Sequence, residues 1–293
     1  MTKDRFNLDT KIVGLIGHPI RHTYSPLMHN ISFDLAGLNY VYLPFDVPIS
    51  NLKSAVKGMM SLGIKGFNVT IPHKENIIQL LHNISDEASI VGAVNTIVNE
   101  NGRLSGYNTD VHGITETLSP YRDEISGSEI SVIGSGGAAR SVIYSLIRHF
   151  KPSKINLINR TEQKAESLKE YFSAKMHFTN MKSYELFPPA LVEVFRNSHL
   201  IVNTTPVGMS PNTDDTITTL EQSFMSGQIV FDIIYNPVRT KLLELAASQG
   251  AVTLDGLKMF VHQGAKSYEL WTGQEMPVNK ILKALKLYIS AGT

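Results

Sequence analysis

A glycine loop set between a strand and a helix constrains this chain more than any other feature. The run Ile130-Ser-Val-Ile133 reads as a short buried strand, and Gly134-Ser135-Gly136-Gly137-Ala138-Ala139 follows at once and opens a helical pattern. In a dinucleotide-binding fold the first glycine makes the tight turn and the second lets a pyrophosphate approach the backbone. A small sixth residue, here Ala139, lets helix and strand pack closely. The helix start then offers free amides and partial positive charge to the phosphates. The loop alone would serve any tight strand-to-helix turn. Its place after a strand and before a helix points to a nucleotide.

The end of the next strand, Lys154-Ile-Asn-Leu-Ile158, indicates which nucleotide. An NAD site puts Asp or Glu there to accept from the ribose hydroxyls. This chain has Asn159-Arg160-Thr161, with Lys164 three residues later. A carboxylate would repel a 2′-phosphate, whereas a guanidinium binds it in forked fashion and stacks on adenine. The pattern predicts NADP(H), against the plainer reading of Arg160 as a solvated residue at a helix start. Glu162 lies beyond the strand end and fits the first turn of a helix.

Short apolar runs alternate with longer amphipathic ones along the whole chain. Strands are predicted at Ile12–Ile16, Tyr40–Leu43, Gly66–Thr70 and Thr96–Val98. Between them fall a helix from Ser25, with Ser25 as its cap and Pro26 in its first turn, a helix over Leu52–Leu62 closed by Gly63, and a helix after Pro72. This alternation predicts parallel crossover units. A turn-rich segment from Ser119-Pro120 to Gly127-Ser128 interrupts it. A second series follows: Ile130–Ile133, a helix from Ala138, Lys154–Ile158, a helix from Glu162, Leu200–Val202 and Ile229–Asp232. Helical segments over Thr240–Ser248 and from Met259 to the end close the chain. The fold class is α/β in two halves.

Composition narrows the function classes. The 293 residues suffice for two domains, with 42% hydrophobic and 18% charged residues, a globular balance. Lys plus Arg number 27 against 26 Asp plus Glu, so no net field favours nucleic acid. Cysteine is absent, which excludes a disulfide framework and a thiolate nucleophile and suits a reducing cytoplasm. No run approaches a membrane span, and the first eleven residues are polar, unlike a signal peptide. No His-Glu-x-x-His spacing occurs, so no metal site is expected.

The first half holds the polar clusters: Asn68-Val-Thr70-Ile-Pro72-His73-Lys74 at a strand end, Ala93-Val-Asn95-Thr96, and Asn108-Thr109-Asp110. Ligands collect at the carboxyl edge of α/β sheets, which makes the first of these a candidate site. Singly, a Lys, an Asp or a His beside a proline is more often idle or structural.

Together these motifs resemble those of the shikimate dehydrogenases over essentially the full length. Gly17-His-Pro19-Ile-Arg-His22-Thr-Tyr-Ser25-Pro26 is similar to that family's opening motif, and Asn68–Lys74, Ala93–Thr96 and Asn108–Asp110 to the next three. The glycine loop, Asn159–Thr161, Asp232-x-x-Tyr235-Asn-Pro237 and Gly256-Leu-Lys-Met259-Phe-Val-His-Gln263 follow in the family's order. The resemblance implies reduction of 3-dehydroshikimate to shikimate with NADPH, and its reverse, in aromatic amino-acid (chorismate) biosynthesis. It implies Lys74 and Asp110 as the catalytic pair and Thr23 and Ser25 on the substrate carboxylate. Thr70, Asn95, Asp110 and Gln263 would contact the hydroxyls, with Tyr235 nearby. Gly134 to Ala138, Asn159, Arg160, Thr161, Lys164, Ile233 and Gly256 would hold the cofactor. Hydride arriving at a ketone makes an alkoxide that needs a proton donor or cation, and a Lys oriented by a carboxylate serves as both.

The resemblance further implies a substrate domain of residues 1–109 plus 258–293 and a Rossmann-type NADP domain of 110–257. The substrate would lie in the cleft between them, with closure excluding water. The expected partner is a small-molecule substrate, with neither nucleic acid nor membrane, in a cytoplasmic enzyme with room for a homodimer. Three places depart from the family: Thr23 replaces a serine, Val111 a glycine, and Lys258, Phe260 and Gly264 stand for Gly, Leu and Ala. Two other readings stay open, a quinate/shikimate dehydrogenase and a non-catalytic NADP-binding sensor.

Overall fold

The computed structural model describes residues 6–20 and 23–291, and of Pro188 only the backbone. Arg21 and His22 of the opening motif lie outside the described residues. The chain divides into two units, Met1–His112 with Val261–Thr293, and Gly113–Phe260. Both divisions fall inside helices, Asp110–Leu118 and Leu257–Thr272.

In the first unit β1 (Lys11–Gly17), β2 (Tyr40–Asp46), β3 (Gly66–Val69), β4 (Asn83–Ile84), β5 (Thr96–Glu100) and β6 (Arg103–Tyr107) form one sheet. Their order is β2-β1-β3-β5-β6-β4. β1 lies parallel to β2 and β3, the expected crossovers, with helices Ser25–Ala36 and Leu52–Ser61 as connections. At β5 the expectation of parallel units fails, although β4 again lies parallel to β6. β5 runs antiparallel to both β3 and β6. The cause is local: β5 and β6 are joined by Asn101-Gly102, whose φ of 54° and 86° suit a tight hairpin.

Two further expectations are corrected here. Ser25 does not cap its helix; it is the first helical residue, and the Thr23 hydroxyl two residues earlier accepts from the Ser25 amide at 3.2 Å. The segment after Pro72 is not an α-helix but a turn leading into a short 3₁₀ helix, Asn76–Leu80. The Lys74 carbonyl accepts from the Val94 amide at 2.8 Å, a long-range bond that holds the turn against the strand entry in place of an α-helical ladder.

Strand alternation sorts the sheet into an apolar face and a polar one. Phe67, Val69, Ile97 and Leu104 point into a core shared with Leu52, Val56 and Met59. Asn68 and Thr96, one residue out of phase, bond instead to Ser267 of the helix Leu257–Thr272. That helix is anchored by aromatics: Tyr268 stacks on Phe33 at 5.3 Å, and the Trp271 indole donates to the Ile97 carbonyl at 3.0 Å. Phe33 is fully buried in this contact, and a phenyl ring so placed contributes about 1.5–3 kcal/mol. The predicted C-terminal helical run is two helices, Leu257–Thr272 and Val278–Ala291, parted at Gly273 with φ 70°.

In the second unit β7 (Glu129–Ile133), β8 (Lys154–Asn159), β9 (Met181–Glu185), β10 (Leu200–Asn203), β11 (Ile229–Asp232) and β12 (Val252–Leu254) form a sheet in the order β12-β11-β10-β7-β8-β9. Every pair is parallel. This is the doubly wound Rossmann order, and its switch point lies between β7 and β10. Ile133, Ile158, Ile201 and Val230 build its core with Leu191, Phe195, Leu242 and Leu243 from the crossover helices. Thr240 caps the helix Lys241–Ser248, its hydroxyl accepting from the Leu243 amide at 3.4 Å. No helix among the described residues is long and apolar enough to cross a membrane.

Candidate active site and nucleotide loop

In the first unit four predicted residues converge. Lys74 stands in the turn after β3, Asn95 immediately precedes β5, and Asp110 opens the helix Asp110–Leu118. Lys74 Nζ lies 2.5 Å from Asp110 Oδ2, and Asn95 Nδ2 donates to Asp110 Oδ1 at 2.8 Å. The lysine side chain is 15% exposed and the aspartate 6%, so the pair is shielded yet the ammonium is reachable. Asn95 Oδ1 accepts from the Thr109 amide at 2.7 Å, which settles the orientation of its side chain, because an N–H can only donate. Gln263 Oε1 lies 3.4 Å from Asn95 Nδ2.

The other predicted substrate residues are placed as follows. The Thr23 hydroxyl donates to Ser25 Oγ at 3.1 Å, so these two form a pair of their own at the start of the helix. Thr70 follows β3, and its amide bonds the Ile16 carbonyl at 2.9 Å, which puts it at the carboxyl edge that β1 and β3 share. Tyr235 belongs to the second unit, where it stacks on Phe260 with ring centroids 4.2 Å apart.

The predicted cofactor residues gather at the carboxyl edge of the second sheet. Gly134 has φ 113°, and a Cβ there would stand 2.4 Å from Thr204 Oγ1, so only glycine fits. Its amide donates to the Ile158 carbonyl at 2.8 Å, tying the loop to the end of β8. Gly136 is exposed and faces open space, and the helix Gly137–Ser145 starts without a side-chain cap. Ser135, Gly137 and Ala138 are half-buried around this opening, while Ala139 is fully buried against the strand. An uncapped helix start before a bare glycine is a cradle for an anion, so the residues present fit a pyrophosphate.

At the end of β8, Asn159 Nδ2 donates to the Thr161 carbonyl at 2.9 Å and holds the turn. Thr161 begins the helix Glu162–Met176 with no side-chain cap bond, and Arg160 and Lys164 are exposed. Among the described residues neither cation pairs with an acid. Ile233 follows β11, and a Cβ on Gly256 would lie 2.0 Å from its carbonyl oxygen, so Gly256 lets two chain segments touch. Next to them Asp232 is buried and accepts from Thr240 Oγ1 at 2.7 Å and Asn203 Nδ2 at 3.1 Å. Burial raises its carboxyl to about 6, against the downward pull of these bonds.

Several residues around these sites escaped sequence reasoning. Thr204 packs under the glycine loop, its hydroxyl donating to the Ile133 carbonyl at 2.6 Å. Behind Asn95 lie Tyr42 and Ser267, which sequence reasoning missed too, and Asn68, Thr96 and Thr109, which stand in the predicted polar clusters but with no role of their own expected. Ser267 carried a readable signal, since it stands one helical turn after Gln263 and hence on the same face.

Comparison with known proteins gives three matches along the chain. The family described as "Shikimate dehydrogenase substrate binding domain" matches residues 15–97. "Shikimate / quinate 5-dehydrogenase" matches 117–233 and "Shikimate 5'-dehydrogenase C-terminal domain" 256–286. A shikimate dehydrogenase (NADP(+)) of Methanococcus maripaludis is 44% identical over 277 residues, covering 94% of this chain and 96% of that protein. A shikimate dehydrogenase solved in complex with NADP+ superposes with a TM-score of 0.88 at 39% identity, over 97% of each chain. Shikimate 5-dehydrogenase from Listeria monocytogenes, in complex with shikimate and NAD, gives a TM-score of 0.85 at 37% identity, over 97% and 99%.

Proposed function

The chain belongs to the shikimate dehydrogenase family, and on that premise we propose which of its residues carry the reaction. It is an NADP-dependent oxidoreductase that interconverts 3-dehydroshikimate and shikimate. Bound NADPH would supply the hydride of the reduction, and bound NADP+ would accept it in the oxidation. Gly134 to Ala138 would hold its pyrophosphate and Arg160 with Lys164 its 2′-phosphate, while Asn159, Thr161, Ile233 and Gly256 shape the surrounding edge.

Lys74 is the proton donor to the substrate oxygen in the reduction and takes the proton back in the oxidation. Asp110 holds the ammonium in place through one carboxylate oxygen, and Asn95 steadies the other. A positioned acid of this kind contributes about 10²–10⁴ in rate. Thr23 and Ser25 bind the substrate carboxylate, and Thr70, Asn95, Asp110 and Gln263 its hydroxyls. The observation that carries this reading is the shielded Lys74–Asp110 pair with its Asn95 brace. We assign substrate binding to the first unit and nucleotide binding to the second, in line with the substrate-binding-domain match over residues 15–97.

The match to a shikimate/quinate family over 117–233 favours one second reading, use of quinate as well. Steady-state assays of shikimate and quinate, each with NADP+ and NAD+, test both. Turnover of shikimate with NADP+ well above the other three pairings supports the first reading, and equal or greater turnover of quinate supports the second. The proposal also includes a cytoplasmic site of action, which suits a chain without cysteine, and a homodimer, which light scattering would read directly.

A further inference from the structure

We propose that three buried hydroxyls, those of Thr96, Thr109 and Ser267, are positioning residues that aim Asn95 and, through it, Asp110. The inference rests on Lys74 and Asp110 being the reacting pair. The three oxygens form a triangle: Thr96 to Ser267 is 2.8 Å, Thr109 to Ser267 is 3.1 Å and Thr96 to Thr109 is 3.1 Å. They come from three separate elements: the first residue of β5, the residue before the helix Asp110–Leu118, and the middle of the helix Leu257–Thr272. All are at most 2% exposed.

The direction of donation through the cluster follows from its ends. Tyr42 donates to Asn68 Oδ1 at 2.8 Å, which turns the Asn68 amide nitrogen toward the triangle. That nitrogen donates to Thr96 Oγ1 and to Ser267 Oγ, each at 3.0 Å. The hydroxyl protons are therefore left for one another, for the Gln263 carbonyl at 3.1 Å from Ser267, and for Asn95 Oδ1, 3.2 Å from both threonines. Asn95 Oδ1 is held as an acceptor by these hydroxyls together with the Thr109 amide at 2.7 Å, so its nitrogen faces Asp110 Oδ1 at 2.8 Å and Thr109 Oγ1 at 3.0 Å. The carboxylate is then fixed at both oxygens, by Lys74 on one side and Asn95 on the other. With the Asn95 brace loosened, Asp110 is free to pivot about Lys74.

Apolar side chains of the same shape would fill this space without the cost of burying hydroxyls. A satisfied polar network in a buried place instead specifies one arrangement, and removal of one member leaves its neighbours unpaired. Here the chain of bonds ends on the proposed catalytic aspartate.

The test compares Ser267→Ala, Thr96→Val, their double variant and Thr96→Ser with the wild type and with Lys74→Ala, assaying shikimate oxidation by NADP+. The expected result is a kcat about tenfold or more below wild type for Ser267→Ala and for Thr96→Val, the effect of mis-aimed groups, with KM for NADP+ within about twofold. Thr96→Ser, which keeps the hydroxyl, restores most of the kcat lost in Thr96→Val. The double variant loses little more than the worse single one, as members of one network do. Wild-type kcat in both single variants, with only a lower Tm, overturns the inference and leaves the cluster a purely structural role. Should Ser267→Ala fail to fold, the nearly isosteric Thr96→Val decides the same question. Near-normal kcat in Lys74→Ala instead overturns the underlying assignment, whatever the hydroxyl variants do.

Discussion

Asp110 and Lys74 meet at 2.5 Å although 36 residues separate them in the chain. The lysine rides on a turn that Val94 pins through the Lys74 carbonyl, and the aspartate on the first turn of a helix. Both residues belong to the first unit and both are held by backbone structure, so the pair is preorganised. Asp110→Asn keeps the shape and removes the charge. It should lower kcat and also raise KM for shikimate, because the carboxylate is proposed to contact a substrate hydroxyl as well. A change in KM alone would assign Asp110 to binding only.

Arg160 should set the choice of cofactor. It is exposed at the end of β8, beside the opening of the glycine loop. Arg160→Ala should raise KM for NADP+ far more than KM for NAD+, since only NADP has the phosphate it clamps. Equal losses with both cofactors would assign the residue to the adenine or to the fold, and would move the phosphate to Lys164.

Asp232 makes stability depend on pH in a stated direction. Its folded-state value is raised to about 6 by burial, whereas an unfolded aspartate titrates near about 3.9. The native state therefore keeps a proton that the unfolded chain has released. The stabilisation this gives is full below about pH 4 and is lost as pH rises through about 6. Asp232→Asn should flatten that part of the pH profile and unfold in urea with up to about 3 kcal/mol more resistance than wild type near neutral pH. His29 works the other way, since burial lowers it to about 3, and comparing the two proteins cancels its effect. An unchanged difference between the proteins from about pH 4 to 7 would contradict the assignment.

How much of this was legible in the sequence depended on how local the cause was. The glycine loop and Arg160 could be read because each needs only its neighbours: a strand before, a helix after and a missing acid. The turn at Pro72–Lys74 was misread as a helix because a carbonyl is claimed by Val94, twenty residues away. The antiparallel return of β5 was missed although Asn101-Gly102 marks it, since the alternating pattern of strands and helices outweighed a two-residue signal. β9 and β12 are short sheet edges with few buried residues, and offered no apolar run to find. The brace behind Asp110 draws on Tyr42, Asn68 and Ser267, which only the fold brings together.

Thr23 should narrow the substrate range. Its hydroxyl pairs with Ser25 and remains able to donate to a carboxylate, so shikimate is accepted. Its extra methyl takes space near the carbon that bears the carboxylate. Quinate carries an additional hydroxyl on that carbon, which is tetrahedral where shikimate is flat. Quinate should therefore be used less well, by about 1–3 kcal/mol, the worth of one methylene in a pocket. Thr23→Ser should keep shikimate activity and improve quinate turnover. A selective loss of quinate activity in that variant would refute the steric argument.

The most direct test of the central claim is kcat for shikimate oxidation by Lys74→Ala at saturating NADP+, measured beside its equilibrium affinity for shikimate. With Lys74 as the proton-transferring group, kcat falls by about 10²–10⁴ while shikimate affinity changes little. A near-normal kcat, or a lost affinity with kcat intact, would contradict the account and leave the Lys74–Asp110 pair without its catalytic role.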